Sequence, residues 1–300
     1  MAQHAQGDQM IKRVGIVAKP RLTAVSKDLP AIASWLQARG VEPVFDDATA
    51  ELAEQAGLRR VARDDLPRHV DLVLLLGGDG TLLGMADRIA KAGLEVPILG
   101  VNFGGLGFMT EVTYDELYAS LEAALAGTAP VESRLMLRAV IERDGQSRAE
   151  HYVLNDVTVT GGSLSRVVEF AVSVGGEFVA RFHADGIIVS TPTGSTAYNL
   201  SAGGPIVHPA VHALVLNPIA PHTLTNRPLV IPASADVLVQ PHPRGDGSEV
   251  YVTFDGQAGE RLDFSDTVRV QQAARPARLV RARNRSYYQV LREKLRWAER

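Results

Sequence analysis

Gly77-Gly78-Asp79-Gly80-Thr81 sets an aspartate among glycines, after an apolar run at 72–76 and before a segment of helical spacing that begins near Thr81. Glycines at such a junction permit positive φ, let an anion approach the backbone, and leave N–H groups pointing outward at a helix N-terminus. That suits a polyphosphate. An aspartate there would be repelled by bare phosphate, so it must serve otherwise, by holding a metal or by accepting a proton from an attacking hydroxyl. The plainer alternative is an Asp-Gly tight turn. The segment is not a G-x-G-x-x-G fingerprint, and the chain contains no Walker A sequence. A second Gly-rich segment, Asn102-Phe103-Gly104-Gly105-Leu106-Gly107-Phe108, follows the run at 96–101. Both segments follow strands, which puts them at the carboxyl edge of a parallel sheet, where ligands bind. A close crossing of two backbones would call for the same glycines.

The most unusual stretch is Asp185 to Tyr198, in which a buried strand runs into Thr191-Pro192-Thr193-Gly194-Ser195-Thr196-Ala197-Tyr198. Its hydroxyls and free N–H groups suit sugar or phosphate oxygens, and Tyr198 offers an aromatic face to a base. Ser201-Ala202-Gly203-Gly204-Pro205 prolongs the small-residue character and leaves room for a ligand. The competing reading is a polar loop that caps a helix at Ser195 or Thr196. Asn155-Asp156 lies within an otherwise apolar strand, 152–160. A buried Asn-Asp pair either satisfies local backbone or reads a ligand's hydroxyls, and the second is preferred. Four residues separate His208 from His212, but Pro209 intervenes and no third ligand is near, which argues against a metal. His222 reads as a structural hydrogen-bonder. His183, two residues before Asp185, shares its strand face and is retained as a ligand contact.

The elements that must position these residues fall into two textures. Through residue 128 the chain alternates as an α/β domain, Rossmann-like with a parallel sheet: strands at 14–18, 41–45, 71–76 and 96–101, and helices at 25–39 (starting properly at Pro30), 81–92 and 114–125. Gly40, Gly93 and Gly127 end the helices. From 129 to 283 short β-rich runs dominate, at 134–142, 152–160, 167–174, 177–183, 186–190, 211–216, 237–240, 250–254 and 267–271. They predict a mainly-β domain of packed sheets. A last helix at 286–297, within 284–300, can pack back onto the first domain and complete it.

Composition narrows the classes. The chain has 300 residues, enough for two cores. It has no cysteine, so thiolate chemistry is out and a reducing compartment is favoured. The polar N-terminus has no apolar h-region, which argues against a secretory signal, and Met10 offers an alternative start. No apolar run approaches a membrane span. The net charge of −3 gives no reason to expect nucleic acid. The basic stretch 275–300, with nine Arg or Lys against two Glu, reads as a solvated helix face or a subunit contact.

Taken together, Gly77–Thr81, Asn155-Asp156, Asp185–Tyr198 with Ser201–Pro205, Pro221–Leu224 with Arg227-Pro228, and Phe254-Asp255-Gly256-Gln257 resemble, in order and over nearly the whole chain, the bacterial NAD kinases. The Gly-Gly-Asp-Gly-Thr element alone is shared with diacylglycerol and sphingosine kinases and resembles a phosphofructokinase loop; the Thr-Pro-Thr-Gly-Ser-Thr-Ala-Tyr element is far more specific. The resemblance implies Mg²⁺- or Mn²⁺-dependent phosphoryl transfer from ATP to the adenosine ribose 2′-hydroxyl of NAD. It also implies NAD bound between the domains of a cytoplasmic homodimer or homotetramer, with no protein ligand to the metal. By that likeness Asp79 is the proton acceptor, and Gly77, Gly78, Gly80 and Thr81 face the ATP phosphates. Asn155 and Asp156 hold ribose hydroxyls, Asp185 binds the nicotinamide end, and Thr196, Ala197, Tyr198 and Ser201 line the adenosine pocket. Arg166, His183, Ala220 and Gln257 fall at further dinucleotide contacts. Many relatives carry Glu where this chain has Asp156, and a side chain as large as His183 favours NAD over NADH. Two other readings compete: a lipid kinase, which would expose an apolar channel, and a non-catalytic NAD-sensing module, which would not need Asp79.

Overall fold

The computed structural model describes residues 10–20, 22, 25–53, 57–162, 168–223, 225–243 and 249–297. The chain divides into two compact units, Met1–Ser133 with Arg278–Arg300, and Arg134–Ala277. The first part of unit one runs β1 (Arg13–Ala18), α1 (Leu29–Gln37), β2 (Glu42–Asp46), α2 (Asp47–Ala53), β3 (Arg59–Val61), β4 (Leu72–Leu76), α3 (Asp79–Lys91), β5 (Ile98–Asn102), β6 (Val112–Thr113), α4 (Leu117–Leu125) and β7 (Val131–Arg134). Unit two holds β8 (Leu137–Arg143), β9 (Gln146–Val153), β10 (Asp156–Gly161), β11 (Val168–Val174), β12 (Glu177–Ala184), β13 (Gly186–Ser190), α5 (Tyr198–Ser201), β14 (Ala213–Ile219), β15 (Leu229–Pro232), β16 (Val237–Pro243), β17 (Val250–Phe254), β18 (Ala258–Leu262) and β19 (Asp266–Gln272). The chain then returns with β20 (Ala277–Val280) and α6 (Tyr287–Leu295).

The sheet of unit one has the order β3-β2-β1-β4-β5-β20-β7, with β6 also on β5, and its pairings from β3 through to β20 are parallel. Strands buried on both faces read as continuous apolar runs, and β4 (Leu-Val-Leu-Leu-Leu) is buried at every position. β1 and β4 are in register from Val14↔Leu72 to Ala18↔Leu76, so the loop after β4 leaves the carboxyl edge beside Lys19. α2, β3 and β6 lack a sequence signal because they are short and their apolar residues few.

The return to this unit rests on arginines. Arg281 pairs with Glu111 at 2.6 Å and with Glu132, and Arg285 pairs with Glu116 at 2.8 Å and the Glu111 carbonyl. Arg283 reaches Thr128. The expectation of a solvated face or subunit contact is corrected for Arg281 and Arg285, which are largely covered, while Arg283 stays exposed. Their partners lie more than 140 residues away in the chain, beyond what a local charge count detects.

Unit two is two six-stranded antiparallel sheets, β15-β14-β13-β10-β17-β18 and β12-β11-β16-β19-β8-β9. Period-two alternation supplies the shared core: Val157, Val159, Ile187, Val189, Val252 and Phe254 from the first, Phe170, Val172, Val239, Val268 and Val270 from the second. The chain crosses from the second sheet to the first three times: at Leu154-Asn155 between β9 and β10, at Asp185 between β12 and β13, and between β16 and β17. The expected single strand over 152–160 is therefore two strands in different sheets. Asn155 stands at the break.

Candidate active site

Gly78 caps α3, and Asp79 is its first residue, so the helix starts two positions earlier than the spacing suggests. An acidic residue in a first turn is favoured by the helix dipole. The expected positive φ of the loop glycines is not found. Gly78 has φ −99°, and neither Gly77 nor Gly80 is in the left-handed region. Space explains Gly77 instead: a Cβ there would lie 3.0 Å from Thr81 Oγ1 and 3.1 Å from Lys19 Cβ. The Thr81 amide donates back to the Gly78 carbonyl at 3.0 Å, so Thr81 closes the loop as well as flanking it.

The second Gly-rich segment wraps the Asp79 carboxylate. Oδ1 accepts from the Thr110 amide (2.9 Å), the Thr110 hydroxyl (2.8 Å) and the Met109 amide (3.2 Å); Oδ2 accepts from the Phe108 amide (2.8 Å). Asn102 at the end of β5 braces the arrangement, with Nδ2 donating to Thr110 Oγ1 at 3.1 Å and Oδ1 accepting from the Gly104 amide at 2.9 Å. Four donors fix the carboxylate in one orientation. Oδ1 is filled, while Oδ2 keeps an acceptor direction for a further donor. Met109 and Thr110 were not singled out by sequence. Their types are ordinary, and 30 and 31 residues separate them from Asp79.

In unit two the crossover and the hydroxyl-rich tract meet at one end of the β10–β13 pair, where Asp156 is in register with Ser190. The Thr191 amide donates to the Asn155 carbonyl (2.9 Å) and the Thr191 hydroxyl to the Leu154 carbonyl (2.6 Å). Ser195 Oγ donates to the Pro192 carbonyl (2.6 Å) and accepts from the Val207 amide (2.9 Å). Buried Asn199 binds the carbonyls of Ser195 and Pro205, and Asn217 Nδ2 reaches Asn199 Oδ1 at 3.1 Å. The tract thus spends Thr191, Ser195 and Asn199 on its own fold. Thr196, Ala197, Tyr198 and Ser201 remain accessible, Tyr198 at 46%. Gly194 is forced by proximity, since a Cβ there would lie 2.1 Å from the Asn155 carbonyl oxygen. Gln257 sits exposed on the β17–β18 turn at the same end, where Phe254 is in register with Val157.

Asp185, His183 and Ala220 gather at the opposite end of that pair. The Asp185 carbonyl accepts from Gly161 and its amide donates to Ile219. Five strand residues separate the two ends, roughly 17 Å. The shared face expected for His183 and Asp185 fails, because the chain bends at Asp185 as it changes sheet. His183 instead faces Glu169 across the β11–β12 ladder, with Nε2 3.7 Å from the carboxylate and Nδ1 buried without a partner. The His222 amide caps the His183 carbonyl at 2.8 Å, and its ring stands 3.7 Å from the exposed Asp185 carboxylate. Ala220 has φ +43°, a conformation that costs an L-residue about 1–2 kcal/mol and marks a constrained position. Arg166 lies outside the described residues.

Burial pushes the Asp156 carboxyl up to about 6, against the pull of the Thr158 hydroxyl. Burial likewise pushes Asp255 up to about 7, opposed by three amide donors and reinforced by Asp156. A carboxyl that holds its proton more tightly when folded contributes stability below its unfolded value, and loses it as pH rises through the folded value. Asp156→Asn is therefore expected to raise the unfolding temperature near pH 8, by stability on the order of 1–3 kcal/mol, with the gain shrinking toward pH 4. Thermal melts across that range check this; a pH-independent gain would contradict it.

A carboxylate held at the first turn of a helix that follows a buried strand, with a hydroxyl-rich tract on a second unit, fits a phosphotransferase with an alcohol acceptor. The family model described as the ATP-NAD kinase N-terminal domain matches residues 14–129, and that of the ATP-NAD kinase C-terminal domain matches 154–282. The chain is 46% identical to the NAD kinase of Geobacter sulfurreducens over 97% of its own length and 100% of that protein, and 43% identical to that of Acidobacterium capsulatum over the same shares. In structure it is similar to a yeast NADH kinase complexed with NADH, with a TM-score of 0.90, 24% identity, 98% of this chain and 89% of that one. It is also similar to an NAD kinase from Archaeoglobus fulgidus in complex with ATP, with a TM-score of 0.72, 25% identity, 95% of this chain and 98% of that one. The chain belongs to the NAD kinase family.

Proposed function

We propose that this chain transfers the γ-phosphoryl group of ATP to the adenosine ribose 2′-hydroxyl of NAD, giving NADP and ADP. The observation that carries the reading is the Asp79 carboxylate, immobilised by four donors with an acceptor direction left on Oδ2. In the step, the 2′-oxygen bonds to the γ-phosphorus, the bond from that phosphorus to the β,γ-bridging oxygen breaks, and the hydroxyl proton passes to Asp79. The transition state is loose, so alignment of the hydroxyl outweighs strong basicity, and Asp79 takes its proton late. Gly77, Gly78, Gly80 and Thr81 face the phosphates at the N-terminus of α3, where backbone amides neutralise developing charge.

Asn155 and Asp156 hold ribose hydroxyls, and Thr196, Ala197, Tyr198 and Ser201 line the adenosine side with Gln257 near them. Asp185, His183 and Ala220 take the far end of the dinucleotide. The separation of roughly 17 Å between the two clusters suits an extended dinucleotide. Among the described residues no group of three or more His, Asp or Glu is arranged to hold a metal. With Asp79 Oδ1 already filled, a divalent cation, Mg²⁺ or Mn²⁺, would arrive with the ATP phosphates and supply charge neutralisation there. No helix among the described residues is long and apolar enough to cross a membrane. A cytoplasmic homodimer or homotetramer is the proposed setting.

The test is label transfer. With [γ-³²P]ATP, NAD and Mg²⁺, label is expected in the 2′-phosphate of NADP, and excess EDTA is expected to abolish it. Label released only as inorganic phosphate, or full transfer in EDTA, would contradict the reading.

A further inference from the structure

Asp255 opens the short turn between β17 and β18, with φ +52° followed by Gly256 at +64°. A turn of this kind asks only for residues tolerant of the left-handed region, and Asn-Gly serves it as well as Asp-Gly. The Asp255 carboxylate does more than the turn requires. Oδ2 accepts from the Leu154 amide at 2.9 Å, and Oδ1 from the amides of Asn155 at 2.7 Å and Asp156 at 3.1 Å. The Asp255 amide in turn donates to the Asp156 carbonyl at 3.0 Å. Where the chain leaves one sheet for the other, one carboxylate takes three consecutive amides. Thr191 grips the other side of the same peptides, through the carbonyls of Leu154 and Asn155. The carboxylate is kept in spite of its neighbour, the 5%-exposed Asp156, which repels it.

We infer that Asp255 is a positioning residue, whose carboxylate sets the Asn155-Asp156 pair at the height and orientation needed to receive the hydroxyls of the acceptor substrate. The inference rests on the proposed role of Asn155 and Asp156. Asn155 and Asp156 touch the substrate; Asp255 acts through their backbone.

Asp255→Asn tests this, because asparagine keeps the turn but puts an NH₂ group against backbone amides. In the folded full-length enzyme kcat/KM for NAD is expected to fall about 10- to 100-fold, the effect of leaving one or two amides unpaired, while KM for ATP stays within about twofold. A merely structural residue would not separate the two substrates. In a background lacking both side chains, Asn155→Ala with Asp156→Ala, Asp255→Asn is expected to cost less than about threefold more, since it acts only through that pair. Unchanged NAD kinetics in folded Asp255→Asn, or an effect that multiplies fully in that background, overturn the inference. If Asp255→Asn does not fold, Gly256→Ala decides: it strains the turn where a Cβ meets open space, and must weaken NAD use selectively. Wild-type kinetics in Gly256→Ala overturn the inference. A wild-type enzyme that forms no NADP overturns the kinase reading instead, which keeps the two failures apart.

Discussion

Asp79→Asn is expected to lower turnover by about 10²–10⁴, the range for loss of a general base, with nucleotide affinity changed much less. The geometry adds a second consequence. One carboxylate oxygen becomes an NH₂ group, so at least one of the donors from Phe108, Met109 and Thr110 loses its acceptor. An unsatisfied buried donor costs about 1–3 kcal/mol, so a modest drop in unfolding temperature accompanies the kinetic loss. Steady-state kinetics and thermal melts on the same preparation separate the two. Asp79→Asn with near-normal turnover would remove Asp79 from the chemistry.

Gly107→Ala is expected to be nearly as damaging although it deletes no functional group. A Cβ at 107 would lie 2.2 Å from Thr110 Oγ1 and 2.3 Å from Asp79 Oδ1. Neither atom can retreat without breaking the bonds that hold Asp79. Misplacement of a catalytic group by about 1 Å costs on the order of 10²-fold, and that is the expected fall in kcat. Gly105→Ala is the control: nothing lies within 4 Å of its Cβ and its φ is unstrained, so its kinetics are expected to match wild type. Equal activity of the two alanine variants would show that the Asp79 cradle does not matter.

Much of the candidate site was legible because the proposed chemistry needs unusual residues side by side. An aspartate among glycines after Leu72–Leu76, and hydroxyls crowded between Pro192 and Tyr198, stand out without a structure. Which members of the tract face outward was not legible. Thr191, Ser195 and Thr196 are alike in sequence and each hydroxyl bonds a nearby carbonyl; only burial separates them, the first two fully covered and Thr196 half-buried.

Crossings between sheets were missed for a different reason. An apolar run over 152–160 looks the same whether the strand continues or changes partner at Asn155, since the period of two is kept within each half. The bend at Asp185 undid the shared face with His183 in the same way. The partners that stabilise these breaks lie far off: Asp255 is 100 residues from Asn155. Pattern within a window reports which face is apolar, and says nothing of a carboxylate arriving from another hairpin.

Phosphoryl transfer to NAD is measured directly by incubating the purified full-length protein with ATP, Mg²⁺ and NAD and reading NADP with an NADP-specific dehydrogenase. NADP that accumulates with wild type and falls by about 10²–10⁴ with Asp79→Asn is the expected result. No NADP from a folded wild-type protein that binds NAD would rule out the kinase and leave a dinucleotide-sensing module in its place.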